Sequence, residues 1–379
     1  VHGGLGPYLA VYLLTVRHWN QAAIGVAMSL AGLAGIAAQT PAGALVDATR
    51  AKRAVVVAAA AVVTVCSLAL IGLDGFWPVA CLQLATGAAG AAFGPAIAAI
   101  SLGVVGHARF AQRNGRNEAF NHAGNVAASL AAGAAAYVWG AIVVFVLIAL
   151  TAAGSLASVL AIPGGAIDHD RARGLGDGER AARPSSLGVL LANRTLLLFA
   201  ACAFLFHLAN AAMLPLVGQK LAGGDAGGGI SLMSACIVAA QLVMVPAALL
   251  AGGKADQWGR KRLFLAGFAI LPIRGVLYTL SSDPFWLVGV QLLDGIGAGL
   301  YGALFPLVVA DLTRGTGRFN VSLGAVATGQ GIGAALSNAL AGAIVVAAGY
   351  SAAFFALAGI AALALALFWG LMPETGGGR

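Results

Sequence analysis

Residues 252–262 read Gly252-Gly253-Lys254-Ala255-Asp256-Gln257-Trp258-Gly259-Arg260-Lys261-Arg262. At an offset of 209 toward the N-terminus the chain reads Gly43-Ala44-Leu45-Val46-Asp47-Ala48-Thr49-Arg50-Ala51-Lys52-Arg53. Both stretches carry a Gly, an Asp and a basic cluster at matching spacing, and each separates two long apolar runs. A short charged break between runs of ~20 apolar residues is a loop joining two membrane-crossing helices.

Beyond these loops the chain holds twelve apolar segments, at roughly 1–16, 23–46, 54–72, 78–103, 117–139, 140–162, 195–219, 228–251, 263–280, 286–311, 319–347 and 351–372. Most reach the ~20 residues a helix needs to cross the hydrocarbon. The chain has 379 residues, 60% hydrophobic and 9% charged, whereas soluble domains carry about 25% charged residues. Helices satisfy their own backbone hydrogen bonds, as lipid demands. Long runs without alternation exclude a membrane barrel. The first run, to about Val16, is short for a span, so further residues are expected before Val1, and it lacks the charged leader and cleavage site of a signal peptide. Cys66, Cys81, Cys202 and Cys236 all lie in apolar runs, without the spacing of a metal site. They read as buried thiols, with no disulfide, metal or cofactor implied.

The net charge of +8 is distributed as an orientation signal and not as a nucleic-acid stripe. Of 21 Lys and Arg, 17 fall in the gaps on one side and Arg379 makes 18; Arg17 and Lys220 alone occupy the other side, and Arg274 lies inside a span. This positive-inside bias places both termini in the cytoplasm of a bacterial-type inner (plasma) membrane. The longest break, 163–194, mixes acids, bases and glycines. It reads as a cytoplasmic linker, a solvated tether or else a regulatory segment, between six-helix bundles at 1–162 and 195–379.

The halves repeat beyond the two loops. Asp74, Phe76 and Trp77 match Asp283, Phe285 and Trp286 at the same offset, as Arg109 and Phe110 match Arg318 and Phe319, and Gly124 and Gly133 match Gly333 and Gly342. Gln83 and Gly87 match Gln291 and Gly295 at 208, as Pro7 matches Pro215. Six spans separate each pair, so the halves are parallel repeats, a transporter plan with its substrate site at the interface near mid-membrane.

The stretch Gly252-x-x-x-Asp256-x-x-Gly259-Arg260-Lys261 resembles the G-x-x-x-D-x-x-G-R-K signature of the major facilitator superfamily. The copy at Gly43 and Asp47 keeps Arg50, Lys52 and Arg53 and lacks the Gly three residues after Asp47. The resemblance covers the whole chain and implies an all-α membrane fold of twelve helices in two pseudo-symmetric bundles. Its general pattern is similar to the drug or metabolite:proton antiporter branch. Two features depart from that branch: Gln83 stands where an Arg is common, and the fifth span, Asn121 to Ser129, lacks a Pro. The resemblance implies a cytoplasmic latch made by Gly43, Asp47, Arg50, Arg53, Gly252, Asp256, Gly259, Arg260 and Lys261. Physically, the glycines admit close helix approach, and an Asp can accept from the N-terminus of a neighbouring helix. The alternative is a basic turn that only sets topology.

Ionisable groups at bilayer depth cost about 2.5–3.5 kcal/mol or more, so each is a functional candidate. Arg274 and Asp294 lie roughly 10 and 12 Å inside the outer face on adjacent antiparallel spans. They are expected to pair, either as a structural bridge or as a proton-coupling site. Glu118, His122, Asn125 and Ser129 share one face of the fifth span, beside Asn121. They read as a proton relay or as polar helix contacts. His207 and Asn210 share a face of the seventh span. Tyr12, Gln83, Gln241, Tyr301 and Gln330 complete the candidate substrate cavity with Asn121, Asn125, His207 and Asn210. Asp311 is expected to meet Arg314 or Arg318. No nucleophile–base constellation appears, so the chain is expected not to be an enzyme. The reading is a monomeric secondary transporter in contact with lipid, moving a small organic solute by alternating access. Proton-coupled efflux is preferred, with a metabolite importer (symporter or uniporter) or, outside transport, a non-transporting receptor or a membrane enzyme as the rivals.

Overall fold

The computed structural model describes residues 9, 12–13, 16–139, 142–176, 188–222 and 226–376. The first span and the linker segment 177–187 therefore lie largely outside the described residues. Every long element among them is a helix: α1 (Gln21–Ala48), α2 (Lys52–Gly72), α3 (Phe76–Gly90), α4 (Phe93–Val105), α5 (His107–Trp139), α6 (Val143–Leu160), α7 (Arg194–Asn210), α8 (Met213–Ala222), α9 (Ala226–Trp258), α10 (Arg260–Leu280), α11 (Pro284–Leu312) and α12 (Phe319–Leu371).

The breaks have local causes. Asn20 starts α1 by accepting from the amide of Ala23 at 2.8 Å, and Asn193 does the same for α7 through Leu196. Asp283 caps α11 ahead of Pro284, a residue suited to the first helical turn because its missing N–H has no helical partner there. One sequence span becomes two helices, α3 and α4, because the chain bends at Ala91–Ala92 ahead of Pro95, which cannot donate into the preceding turn. Conversely α12 is two spans joined without a loop, broken at Gly349, whose φ of 83° is left-handed.

Two compact units form. The first comprises Val1–Gly106, Gly124–Pro184 and Arg314–Ala325; the second comprises His107–Ala123, Ser185–Thr313 and Val326–Arg379. Each therefore takes a short segment from the other half of the sequence.

In the first unit α2 buries Val56, Ala59, Ala60, Val63, Ser67 and Leu70, one face at helical spacing. Val62, Val65 and Leu68 on its other side are exposed, as lipid-facing residues are. One core cluster gathers Tyr12, Ile24, Leu70, Val79 and Phe145. Another joins Val46, Val56, Ala96 and Ile100 to Ile167 and Ala172. The last two belong to the segment expected to be a solvated tether. Its described part, 163–176, is instead docked: Asp168 donates its amide to Gly103 O at 3.1 Å, Gly315 donates to Gly174 O at 2.8 Å, and Leu175 is buried. The reason is composition, because Ile167, Ala172 and Leu175 give an otherwise charged stretch an apolar side.

The second unit is built around aromatic rings. Phe199, Phe206, Phe264, Phe268, Tyr301, Phe305 and Phe368 stack, tilt or meet edge-on, with centroids 4.6–6.4 Å apart.

Candidate functional site

The two loop motifs make the same backbone contact in their own units. A methyl added at Gly43 would overlap the backbone of Asn320 and Val321 at the start of α12, and one at Gly324 would overlap Gln39 and Thr40 on α1. At the offset of 209 these become Gly252 against Ala111 and Gly115 against Ala248. There a Cβ on Gly252 would lie 2.8 Å from Ala111 O, and one on Gly115 would lie 2.6 Å from Ala248 O. Each motif Gly is thus half of a glycine pair that lets the start of a helix press on another helix backbone. Gly115 and Gly324 were not singled out from the sequence, although the repeat offset relates them.

The charged residues break the symmetry. Asp47, 3% exposed, accepts from Asn320 N at 3.2 Å, Asn320 Nδ2 at 2.8 Å and Val321 N at 2.8 Å. It caps the N-terminus of α12, where the helix dipole favours an anion. Its counterpart Asp256 is half exposed and meets Arg260 Nη2 at 3.2 Å. Arg260 also pairs with Asp311. The partner expected for Asp311 was Arg314 or Arg318, but Arg260, at the start of α10, reaches it first. Glu374 in the C-terminal tail accepts from the amides of Arg260 at 2.8 Å and Lys261 at 3.2 Å, and so supplies the α10 cap. Gly259 adopts φ 87°, which a side chain resists. His18 is the one non-glycine with positive φ among the described residues. Arg50, at the position equivalent to Gly259, needs no left-handed backbone, which explains how the first copy dispenses with the glycine. Lys52 donates to Val46 O and Thr49 O, closing α1, and Arg53 donates to Ile162 O at 2.6 Å beyond α6.

Arg274 on α10, 1% exposed, pairs with Asp294 on α11. Around them runs a polar chain. Arg274 Nη2 donates to Asn210 Oδ1 at 2.5 Å, and Gln291 Nε2 donates to Asp294 Oδ2 at 2.8 Å. Tyr278 donates to Gln291 Oε1, and its ring centroid lies 5.8 Å from the guanidinium carbon. Asn210 is thereby committed to Arg274. Gln291 and Tyr278 were missed as site residues, although the match of Gln291 to Gln83 pointed to the position.

On α5, Glu118 stands 4.0 Å from His122 Nε2 and accepts from Asn121 Nδ2 at 3.4 Å. His122 Nδ1 meets Gln241 Oε1 of α9 at 2.7 Å. Asn125 follows, half-buried, farther along α5. Gln330 Nε2 donates to Tyr301 OH at 2.6 Å, and the His207 ring stands edge-on to Tyr301 at 5.1 Å. Tyr12 and Gln83 are both buried in the first unit, Tyr12 with its hydroxyl 3.5 Å from Leu70 O.

Apolar membrane-length helices with a loop motif repeated at an offset of 209, and a buried ion pair inside the second unit, are the pattern of a secondary-transporter fold. The chain matches the family model of the Major Facilitator Superfamily over residues 2–253 and again over 199–379; it belongs to that superfamily. Uncharacterised MFS-type transporters from two strains of Mycobacterium tuberculosis are 57% identical over 377 residues, covering 99% of this chain and 90% of theirs. A further uncharacterised MFS-type transporter of the same species is 30% identical over 127 residues, 33% of this chain and 21% of its own length. The human organic anion transporter MFSD10 (TETRAN) has the same fold, with TM-score 0.69 at 16% identity, covering 97% of this chain and 89% of its own. The protein is a multi-pass membrane transporter of the MFS type and not an enzyme.

Proposed function

We propose that this transporter exports a small organic solute across a bacterial inner membrane in exchange for protons, with Asp294 as the group that takes the proton. The observation that carries the reading is the buried Arg274–Asp294 pair and its polar neighbours on α7 and α11. As a mere fastener such a pair is a poor choice, since well-packed apolar residues often serve as well or better. The side chain of Asp294 keeps 14% exposure against 1% for Arg274, so the acid is the less enclosed partner of the pair. A proton on Asp294 removes the charge that compensates Arg274, and the network then favours another arrangement. Glu118, His122 and Gln241 offer a second proton path toward the basic membrane face.

In this reading both termini are cytoplasmic, Tyr301, Gln330 and His207 meet the solute, and the two glycine-paired crossings form the cytoplasmic latch. The rival is a metabolite importer of the same fold. Purified protein in liposomes with an imposed pH gradient separates them. Export predicts uphill solute movement against proton flow, abolished in Asp294→Asn. Equal flux with and without the gradient, at any solute charge, would remove the proton-coupling claim.

A further inference from the structure

At the basic membrane face of the first unit lies a cavity of about 490 Å3, lined by Arg50, Arg53, Val57, Leu160, Ile167 and His169. The geometry points to this cavity as a site for the phosphate of an anionic phospholipid, with its acyl chain along Val57 and Leu160. The volume falls within the roughly 300–1,000 Å3 of small-molecule sites.

Arg50, Arg53 and His169 converge there, and Asp168 and Asp170 offset their charge only in part. Arg50 makes no hydrogen bond or ion pair among the described residues and is exposed. Arg53 uses Nη1 on Ile162 O and keeps its other donors. The Nδ1 of His169 is buried with no hydrogen-bond partner among the described residues. The cavity also opens on the start of α2, which has no side-chain cap, so its first amides add the positive end of the helix dipole.

The nearby acids are engaged elsewhere. Asp168 accepts from the amides of Asp170 and Arg171 and faces Arg171 at 3.4 Å, and Asp170 pairs with Arg173. Lys52 is turned to Val46 O and Thr49 O. An external anion is therefore the partner that Arg50, Arg53 and His169 lack.

Lipid, not a soluble phosphate, follows from the walls. Val57 and Leu160 belong to spans α2 and α6, and Leu160 is 61% exposed. An acyl chain covers such residues while its headgroup stays at the interface, where basic pockets between helices bind anionic lipid.

The experiment is native mass spectrometry of the purified full chain in detergent, titrated with phosphatidylglycerol or phosphatidylcholine. Retention of phosphatidylglycerol over phosphatidylcholine is expected. Arg50→Gln, which breaks no internal bond, should weaken it about fivefold, the equivalent of about 1 kcal/mol for one interfacial basic residue. Arg262→Gln, a basic residue of the same face outside the cavity, should leave it unchanged. Equal retention of the two lipids, or an equal loss in Arg262→Gln, would overturn the site. Displacement of the lipid by millimolar glycerol phosphate would reassign the cavity to a soluble phosphate and overturn the lipid.

Discussion

Asp47 and Asn320 lie 273 residues apart, yet the carboxylate of one caps the helix begun by the other, taking both the amide and the side chain of Asn320 and the amide of Val321. The repeat places Asp256 at the same point of the second loop, where among the described residues it reaches Arg260 across its own turn. The two copies therefore differ in what they hold. Asp47→Ala removes a buried helix cap and is expected to cost about 0.5–2 kcal/mol. Hydrogen exchange at the amides of Asn320 and Val321 should accelerate. Asp256→Ala should leave both amides protected, because an exposed pair is worth about 0–1 kcal/mol. Equal acceleration in the two variants would contradict this assignment.

The glycine pairs give a test with opposite signs along one helix. Gly252→Ala sets a methyl 2.7 Å from Gly115 Cα, and Gly115→Ala sets one 2.6 Å from Gly252 Cα. Backbone cannot give way there cheaply, so each should destabilise by about 1–3 kcal/mol. Gly253, the next residue of α9, has nothing within 4 Å of its Cβ position. Gly253→Ala should stabilise by about 0.5–1 kcal/mol, since alanine loses less entropy in a helix. Thermal unfolding in detergent reads all three.

The sequence carried the apolar helices of the described residues, the loop pair and the Arg274–Asp294 juxtaposition because each follows from apolar length, charge placement and helical rise. Asp294 and Arg274 were visible because a charge inside an apolar run is costly and calls for a partner. Gly115 was not, because a chain with 54 glycines offers no local mark for the one that meets another backbone. The docking of Ile167, Ala172 and Leu175 was hidden for a similar reason. Three apolar residues among nine charged or titrating neighbours look solvated until the groove beside Gly103 is known. Glu374 as the cap of α10 depends on how the tail folds back, which no spacing records.

His169 should make stability depend on pH in a stated direction. Burial holds its imidazole below the ordinary value, Lys52 and Arg50 push the same way, and Asp168 and Asp170 push back. Arg53 also lines the cavity it faces. A histidine lowered on folding resists the proton that the unfolded chain accepts. Its stabilisation is full above about pH 6.5 and is lost as pH falls through the folded value. The unfolding midpoint of the lipid-free protein should therefore fall between about pH 7.5 and pH 5.5 more steeply than that of His169→Gln. A bound phosphate reverses the sign by favouring the imidazolium, so added phosphatidylglycerol should flatten the wild-type profile and leave that of His169→Gln unchanged.

The Arg274–Asp294 pair can be asked whether it fastens helices or works. Asp294→Asn leaves the Arg274 guanidinium buried without its counter-charge, still held by Asn210. Removing one partner of a buried pair costs about 3–5 kcal/mol. Arg274→Gln alone strands Asp294 beside Gln291 with a cost of the same order. The double variant Arg274→Gln/Asp294→Asn has no stranded charge and should recover most of the lost stability, because neutral amides can bond to each other and to Asn210 and Gln291. Stability and transport then separate. A structural bridge predicts that the double variant, once folded, still moves solute with the pH gradient. A proton-coupling role predicts a folded protein whose solute flux no longer responds to the gradient, because the carboxylate that takes the proton is gone. Thermal unfolding together with gradient-driven flux in liposomes decides between them: restored unfolding with restored coupling would remove Asp294 from the mechanism, and restored unfolding without coupling would place the proton on it.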